Sequence, residues 1–511
     1  MASQIINSTA YSELGDEATV RLSRWSSHTD EDRFPIFNPA TGRVIALVQG
    51  CGLAEVDTAV RASRMAFERD WRHRLVSERS HLLSEAARVI RQHGEELAQL
   101  IAAQNGTLIG EALNIDVDQC AKAFRYFGSA AVVLPNGFTD GGSYHDHVLA
   151  EPYGVIGVLT PTASPLLYVG AKLAPALVAG NTVVLKPSCG STLAVTRLIE
   201  LIAPIFPSGV LQLVLGPGAT VGRALVDHPL VSKISFTGNT EVGKDILRRA
   251  ADKVMPAIVQ LGSQNAVIVC DDANPMLALR AIIEGVYANH GETRTALRRV
   301  FLQRRIHDRI LAQLALAVSR FKVGDGLRAD TQLGPMSSLD RQQSALQQIA
   351  AARAAGARLV AQADLSKDEA LQEGYFVPPT VLADVRQNMS IMQEAFSGPI
   401  ACVAAFNSVD EAIAMANDSQ YGLLAVVFTG NNEAAARFGS RLEVSMVYLN
   451  NFQRIGHATV APSGGSKASG CGREDCSLDT LREYTQQRIV RTPTQIASEH
   501  YWSVVDDVLS G

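Results

Sequence analysis

Residues 289–299 carry His290, Glu292, Arg294, Arg298 and Arg299 in close succession. A carboxylate set among fixed cations is equipment for proton transfer on an anionic substrate. Glu292 would be the base, and Arg294 would hold a carboxylate or a phosphate. The plainer reading has Glu292 and Arg294 neutralise each other. It carries more weight, because burying so many unpaired charges is costly. Thiols are less promising as nucleophiles. Cys270 ends an apolar run and reads as a small core residue, whereas Cys471 reads as filler in a glycine-rich stretch. His145 and His147 alternate as on an exposed strand face, so no metal is expected there.

These residues hang on an alternation of strands and helices. Short β-branched strands at 155–159, 182–185, 211–215 and 233–236 are separated by helical patterns at 166–178, 192–202, 221–227 and 241–251. This spacing implies parallel strands with helical crossovers, a doubly wound α/β sheet. Its ligand site belongs at the carboxyl ends of the strands. Strands at 258–261 and 265–270, a helix and the polar loop 289–294 then lead into a strand at 299–303. Helices at 306–321 and 341–356, followed by strand, loop and helix again through 423, make a second α/β lobe. Helical patterns at 53–67, 77–93, 95–104 and 117–127 precede both, with apolar residues at three- and four-residue spacing. Residues up to 32 read as a mobile lead or an edge strand, and 483–490 alternate like an edge strand.

Bulk properties exclude several function classes. A chain of 511 residues that is 47% hydrophobic and 19% charged can bury two or three packed cores. A net charge of -5 argues against nucleic acid or an anionic membrane as partner. The most apolar long stretch, 155–178, is interrupted by Pro161, Pro165, Lys172 and Pro175 and is no membrane span. The seven cysteines form no CxxC pair, so neither a disulfide framework nor a zinc site is expected, and a reducing cytoplasm suits them. The first residues lack the pattern of a secretory signal.

Several motifs occur together and in order: Asn38-Pro39-Ala40-Thr41-Gly42, Glu151-Pro152-Tyr153-Gly154-Val155, Ala179-Gly180-Asn181-Thr182-Val183-Val184-Leu185-Lys186-Pro187, Phe236-Thr237-Gly238-Asn239-Thr240-Glu241-Val242-Gly243, and the glycine-rich run 464–472. With them the chain resembles the NAD(P)-dependent aldehyde dehydrogenase superfamily from about Phe37 to Val490. The resemblance implies a Rossmann-like dinucleotide lobe (1–130 and 151–258), a catalytic-type α/β lobe (259–466), an oligomerisation ribbon (131–150 and 475–495) and a tail (496–511). It also implies a homodimer or homotetramer and a cofactor, NAD or NADP, with no metal.

The departures fall where the family does its chemistry, which needs a thiolate, oxyanion donors and a base. The thiol loop Gly-Gln-x-Cys reads Gly291-Glu292-Thr293-Arg294, so a guanidinium takes the place of sulfur. The strand ending Glu-Leu-Gly-Gly reads Gln260-Leu261-Gly262-Ser263, and an amide replaces the base. The oxyanion Asn becomes Ala163 within Thr160-Pro161-Thr162-Ala163-Ser164-Pro165. Loss of a nucleophile from a coupled set costs about 10⁶ in rate, which outweighs the about 10²–10³ for one oxyanion donor.

On the cofactor side, Lys186 resembles the lysine that binds the adenosine ribose, and Thr160 is counted with it among the cofactor-binding residues that the resemblance implies. Cys189 replaces the acidic residue of NAD-preferring members. Gly238 and Gly243 bracket a helix start that would offer amides to a pyrophosphate, or simply allow close packing. Ala395 and Ser397 stand for the Glu and Phe that hold the nicotinamide end, unless a one-residue shift substitutes Glu394 and Phe396. Nucleotide binding is thus expected to be weakened. The expected function is a catalytically silent homologue acting as a binding, structural or regulatory subunit, with a partner protein in an assembly as one role. The alternatives are altered chemistry by Glu292 and Arg294 on an anionic substrate, or residual NAD(P)-dependent oxidation by direct hydride transfer.

Overall fold

Strands covered on both faces need mostly apolar residues, and several strands meet that demand. Every residue of β1 (Val155–Thr160) and β2 (Thr182–Pro187) is buried, as in a parallel sheet flanked by helices. The computed structural model describes residues 19–20, 33–130, 136–366, 368–452, 463–473, 477–494 and 508–509. Most of the N-terminal lead, Glu474, Cys476 and nearly all of the tail from 496 lie outside the described residues.

The first sheet continues with β3 (Leu211–Leu213), β4 (Val231–Thr237) and β5 (Ala257–Gln260). The second uses β6 (Asn265–Val269), β7 (Leu297–Gln303), β8 (Arg358–Gln362), β9 (Thr380–Ala383), β10 (Ile400–Phe406), β11 (Leu424–Phe428) and β12 (Met446–Leu449). A late strand, β13 (Gly470–Cys471), returns to the first sheet. Among the described residues the two orders are β13-β5-β4-β1-β2-β3 and β8-β9-β10-β7-β6-β11-β12. Pairing is parallel except at β13 and β8, which run antiparallel at their edges. The fold is therefore a doubly wound α/β type.

In the first sheet, β1 leads outward to β2 and β3, and the chain then returns to β4 on the other side of β1. The order reverses between β1 and β4, and a crevice opens at the carboxyl ends of such a pair. The second lobe meets this crevice with its opposite edge. Residues 262–264, 288–296, 394–399 and 420–423 each precede a parallel strand, so they gather at the amino ends of β6, β7, β10 and β11.

Helix α1 (Leu53–Arg69) packs beside β2, while α2 (Val76–Gln92) lies against the helix at Asp118–Ala130. A π-helical turn at Ala112–Val117 leads into the latter, which periodicity alone does not reveal. A separate three-stranded antiparallel sheet joins Gly137–Asp140, Tyr144–Pro152 and Thr485–Pro493. Thr19–Val20 add an edge beside Leu47 and Val48.

Candidate active site

The two edges enclose a cavity of about 550 Å³. From the first sheet come Pro161, Ala163 and residues 237–241, and α3 (Pro165–Val178) contributes Tyr168. From the second come residues 261–263, 292–294 and 394–397, with Arg298, Arg341 and Tyr421. Ala163, Gly238, Glu292, Arg294, Ala395 and Ser397, all singled out from sequence, thus line one cleft. Gln260, Lys186, Cys189, Thr160 and Gly243 do not line it.

The loop that carries Glu292 and Arg294 is held in a costly conformation. Asn289, His290 and Gly291 all have positive φ, at 47°, 46° and 73°. For a non-glycine residue this costs about 1–2 kcal/mol. Thr107 donates to the Asn289 side chain at 2.9 Å, and Asn289 N–H donates to Glu111 at 3.1 Å. Gly291 has no alternative, since a Cβ there would sit 2.1 Å from the Gly398 carbonyl oxygen.

Arg294 then points into the cleft. Its Nε donates to the Leu261 carbonyl at 3.2 Å, and its Nη2 to that of Ser469 at 3.3 Å. Its own carbonyl accepts from Ser263 Oγ at 2.6 Å and Asn265 Nδ2 at 2.9 Å. Ser263 therefore anchors the backbone from which the guanidinium springs. Burial brings the Arg294 pKa down to about 10, which leaves it charged at neutral pH.

Glu292 is saturated. Its carboxylate accepts from Ser337 N–H at 2.9 Å, Ser337 Oγ at 2.7 Å and Arg341 Nη1 at 2.8 Å, with His290 Nε2 at 3.9 Å. Burial works to raise its pKa, but Arg341, His290 and Ser337 outweigh it and hold the carboxyl below its ordinary value. The charge partner is Arg341, not Arg294. A low-pKa carboxylate with these donors already in place is a poor proton acceptor.

Gln260 faces away from the cleft. Its Nε2 donates to the Gly472 carbonyl at 3.2 Å, and its Oε1 is buried with no hydrogen bond. None of the six described cysteines lines the cleft, and burial raises the thiol pKa of Cys270 to about 11.

At the cofactor-type edge, Lys186 and Cys189 lie at the end of β2, beside the end of β1, where Ser188 N–H donates to the Thr160 carbonyl. Lys186 is buried with its pKa lowered by that burial, and Thr160 Oγ1 is buried without a hydrogen bond. Helix α4 (Thr240–Asp252) starts at the cleft, and some of the amides around its start are already engaged. Gly238 N–H donates to the Gln260 carbonyl, Glu241 N–H to Asn239 Oδ1, and Gly243 N–H to the Asn239 carbonyl. A Cβ on Gly243 would meet Leu261 at 2.2 Å, so close packing accounts for that glycine. Phe396 is buried under the Arg298 guanidinium, 4.9 Å from its ring centre, whereas Glu394 and Ala395 are exposed at the rim.

Residues 25–490 match the sequence profile described as the aldehyde dehydrogenase family. The chain belongs to the aldehyde dehydrogenase family. It is 39% identical over 485 residues to aldehyde dehydrogenase citD of Monascus ruber, covering 95% of this chain and 96% of that one. Among solved structures it is similar to an NAD+ complex of an aldehyde dehydrogenase from Bacillus cereus, with a TM-score of 0.87, 34% identity and coverage of 91% and 94%. Betaine aldehyde dehydrogenase of Staphylococcus aureus in complex with NAD+ gives 0.89, 32%, 94% and 95%. The aldehyde dehydrogenase fold of this chain therefore extends over both lobes.

Four residues in or behind this aldehyde dehydrogenase-family cleft escape a reading by motif. Arg341 neutralises Glu292 from a helix far along the chain, and Ser469 binds Arg294 from the glycine-rich run. Tyr168 lines the wall. Lys172 is fully buried in α3 and donates to Ser235 Oγ at 2.9 Å. Burial, and then Arg294, push its pKa well below the ordinary value. A lone lysine in an apolar helix is the only sequence signal for it. Among the described residues no helix is long and apolar enough to cross a membrane.

Proposed function

We propose that this member of the aldehyde dehydrogenase family binds ligands in its cleft without oxidising aldehydes through a covalent thiohemiacetal. The observation that carries this reading is the guanidinium of Arg294 on the cleft floor, at the sequence position where the family resemblance puts its thiol. An arginine side chain has no lone pair for attack on a carbonyl. No described cysteine reaches the cleft in its place. Gln260, at the position of the family base, cannot carry a proton away and is turned toward Gly472.

The two solved relatives described above are complexes with NAD+. The residues present here suit one end of such a cofactor. At the strand edge, buried Lys186 and the unpaired Thr160 Oγ1 supply polar groups suited to a ribose. At the other end, Ala395 and Ser397 offer neither a carboxylate nor a ring, and Phe396 is already stacked on Arg298. A bound dinucleotide would supply hydride acceptance. The protein's part would be to hold the adenosine side, and weakened overall affinity for NAD or NADP follows. The reading includes a homodimer or homotetramer, for which Phe138 and Ile489 stand exposed on the three-stranded sheet. A regulatory or structural subunit fits these features better than an enzyme of altered chemistry, because Glu292 is neutralised.

The test is direct. Purified protein with NAD+ or NADP+ and acetaldehyde, hexanal or benzaldehyde should give no absorbance rise at the nicotinamide band above the protein-free blank. Turnover on the order of 1 s⁻¹, the low end for enzymes, would sink the reading. Arg294→Cys with Gln260→Glu should remain far below such rates, because the nicotinamide-end contacts are still missing.

A further inference from the structure

The cleft floor holds positive charge that the protein itself leaves open. The edge of Arg294 formed by Nε and Nη2 is bound to the Leu261 and Ser469 carbonyls, while Nη1 makes no hydrogen bond among the described residues. Arg298, also on the cleft, binds only the Gly291 carbonyl through Nη1, and its buried Nε has no acceptor. Neither guanidinium forms an ion pair among the described residues. Carboxylates elsewhere on the cleft are taken or peripheral: Glu292 by Arg341, Glu241 by Lys244 at 2.9 Å, and Glu394 exposed at the rim. Guanidiniums set partly or wholly below the surface gain from a pairing anion, since a charge-assisted bond in a site shielded from water is strong.

The form of the free edge indicates which anion. Nη1 together with the second hydrogen of Nη2 presents two parallel donors, matched to a planar carboxylate. Among the lining residues Pro161, Ala163, Tyr168, Leu261, Phe396 and Tyr421 suit an apolar or aromatic body beside that edge. We propose that the cleft binds an organic carboxylate with an apolar or aromatic body, its carboxylate paired bidentately with the open edge of Arg294. This rests on the reading of the cleft as one that binds without oxidising.

Calorimetric titration of the full chain with benzoate, cinnamate and hexanoate tests it, with benzamide as the neutral analogue and inorganic phosphate as the alternative anion. At least one of the three carboxylates should bind saturably, benzamide at least about tenfold more weakly than benzoate, and phosphate should not compete. Arg294→Met should weaken carboxylate binding by about 10- to 100-fold, the range for a charged hydrogen bond. Should that variant not fold, the benzoate-to-benzamide ratio on the unaltered chain decides. No binding by any carboxylate, equal binding of benzamide, displacement by phosphate, or full affinity in Arg294→Met each overturns the proposal. Benzaldehyde oxidation with NAD+ by the same preparation strikes instead at the non-oxidising reading and leaves the carboxylate ratio to be judged by itself.

Discussion

Arg299 and Arg294 are two guanidiniums of similar setting with opposite consequences. Both are bound by main-chain carbonyls, and burial brings both to a pKa of about 10. Arg299 sits inside β7, where Nε, Nη1 and Nη2 donate to the carbonyls of Gln264, Met415 and Ala416 at 2.9, 3.2 and 2.9 Å. All three of its nitrogens are bound, and it ties the cleft loop to the helix before β11. Arg294 sits on the loop before β7, spends two nitrogens on carbonyls and turns the third to a cavity. A buried cation is structural when its donors are all answered within the chain. It becomes a binding group when they are not.

That contrast can be broken most forcefully at Arg299. Arg299→Met should strand the Gln264 and Ala416 carbonyls, since Met415 still accepts from Gln387 Nε2, and should cost on the order of 3 kcal/mol or more. A large fall in melting temperature or loss of soluble protein is the expected readout, and a mild effect would erase the distinction. Glu292→Gln comes next, with a loss of about 1–2 kcal/mol, since Ser337 can still bond the amide while Arg341 loses its counter-charge. The sign of its pH dependence is fixed. A carboxyl whose folded pKa lies below its ordinary 4.5 stabilises the fold above that value and loses the contribution as pH falls through the folded pKa. The stability gap between the unaltered chain and Glu292→Gln should therefore be level at neutral pH and close in acid. Arg294→Met should change stability least, within about 1 kcal/mol in either direction. It leaves only the Leu261 carbonyl to find another partner, because Ser469 still accepts from Leu261 N–H. Denaturant titrations of the three variants rank the effects.

Much of this organisation could be read from residue order alone. Runs such as Val155–Leu159, apolar throughout, announce a sheet covered on both faces, and the helical periods between them announce crossovers. The cleft was also foreseeable in part, because Ala163, Gly238, Arg294 and Ala395 sit at strand ends that topology brings together. Pairings across the chain were not. The choice of Arg341 over Arg294 as partner of Glu292 depends on where a distant helix lands. The engagement of the Gly238 amide with Gln260 depends on the neighbouring strand. Local spacing encodes neither. Motif reading treats a helix start as a set of vacant donors, and only the neighbouring backbone reveals which are occupied.

The strand Gly470–Cys471 has a consequence for how the molecule is made. It completes the first sheet by pairing with Val259 and Gln260, although the whole second lobe is threaded between them. During synthesis the first lobe must wait, with that border uncapped, until nearly all of the polypeptide has left the ribosome. Nascent chains halted before Ser469 should therefore hold an exposed sheet margin and call on chaperones, whatever the second lobe has already achieved.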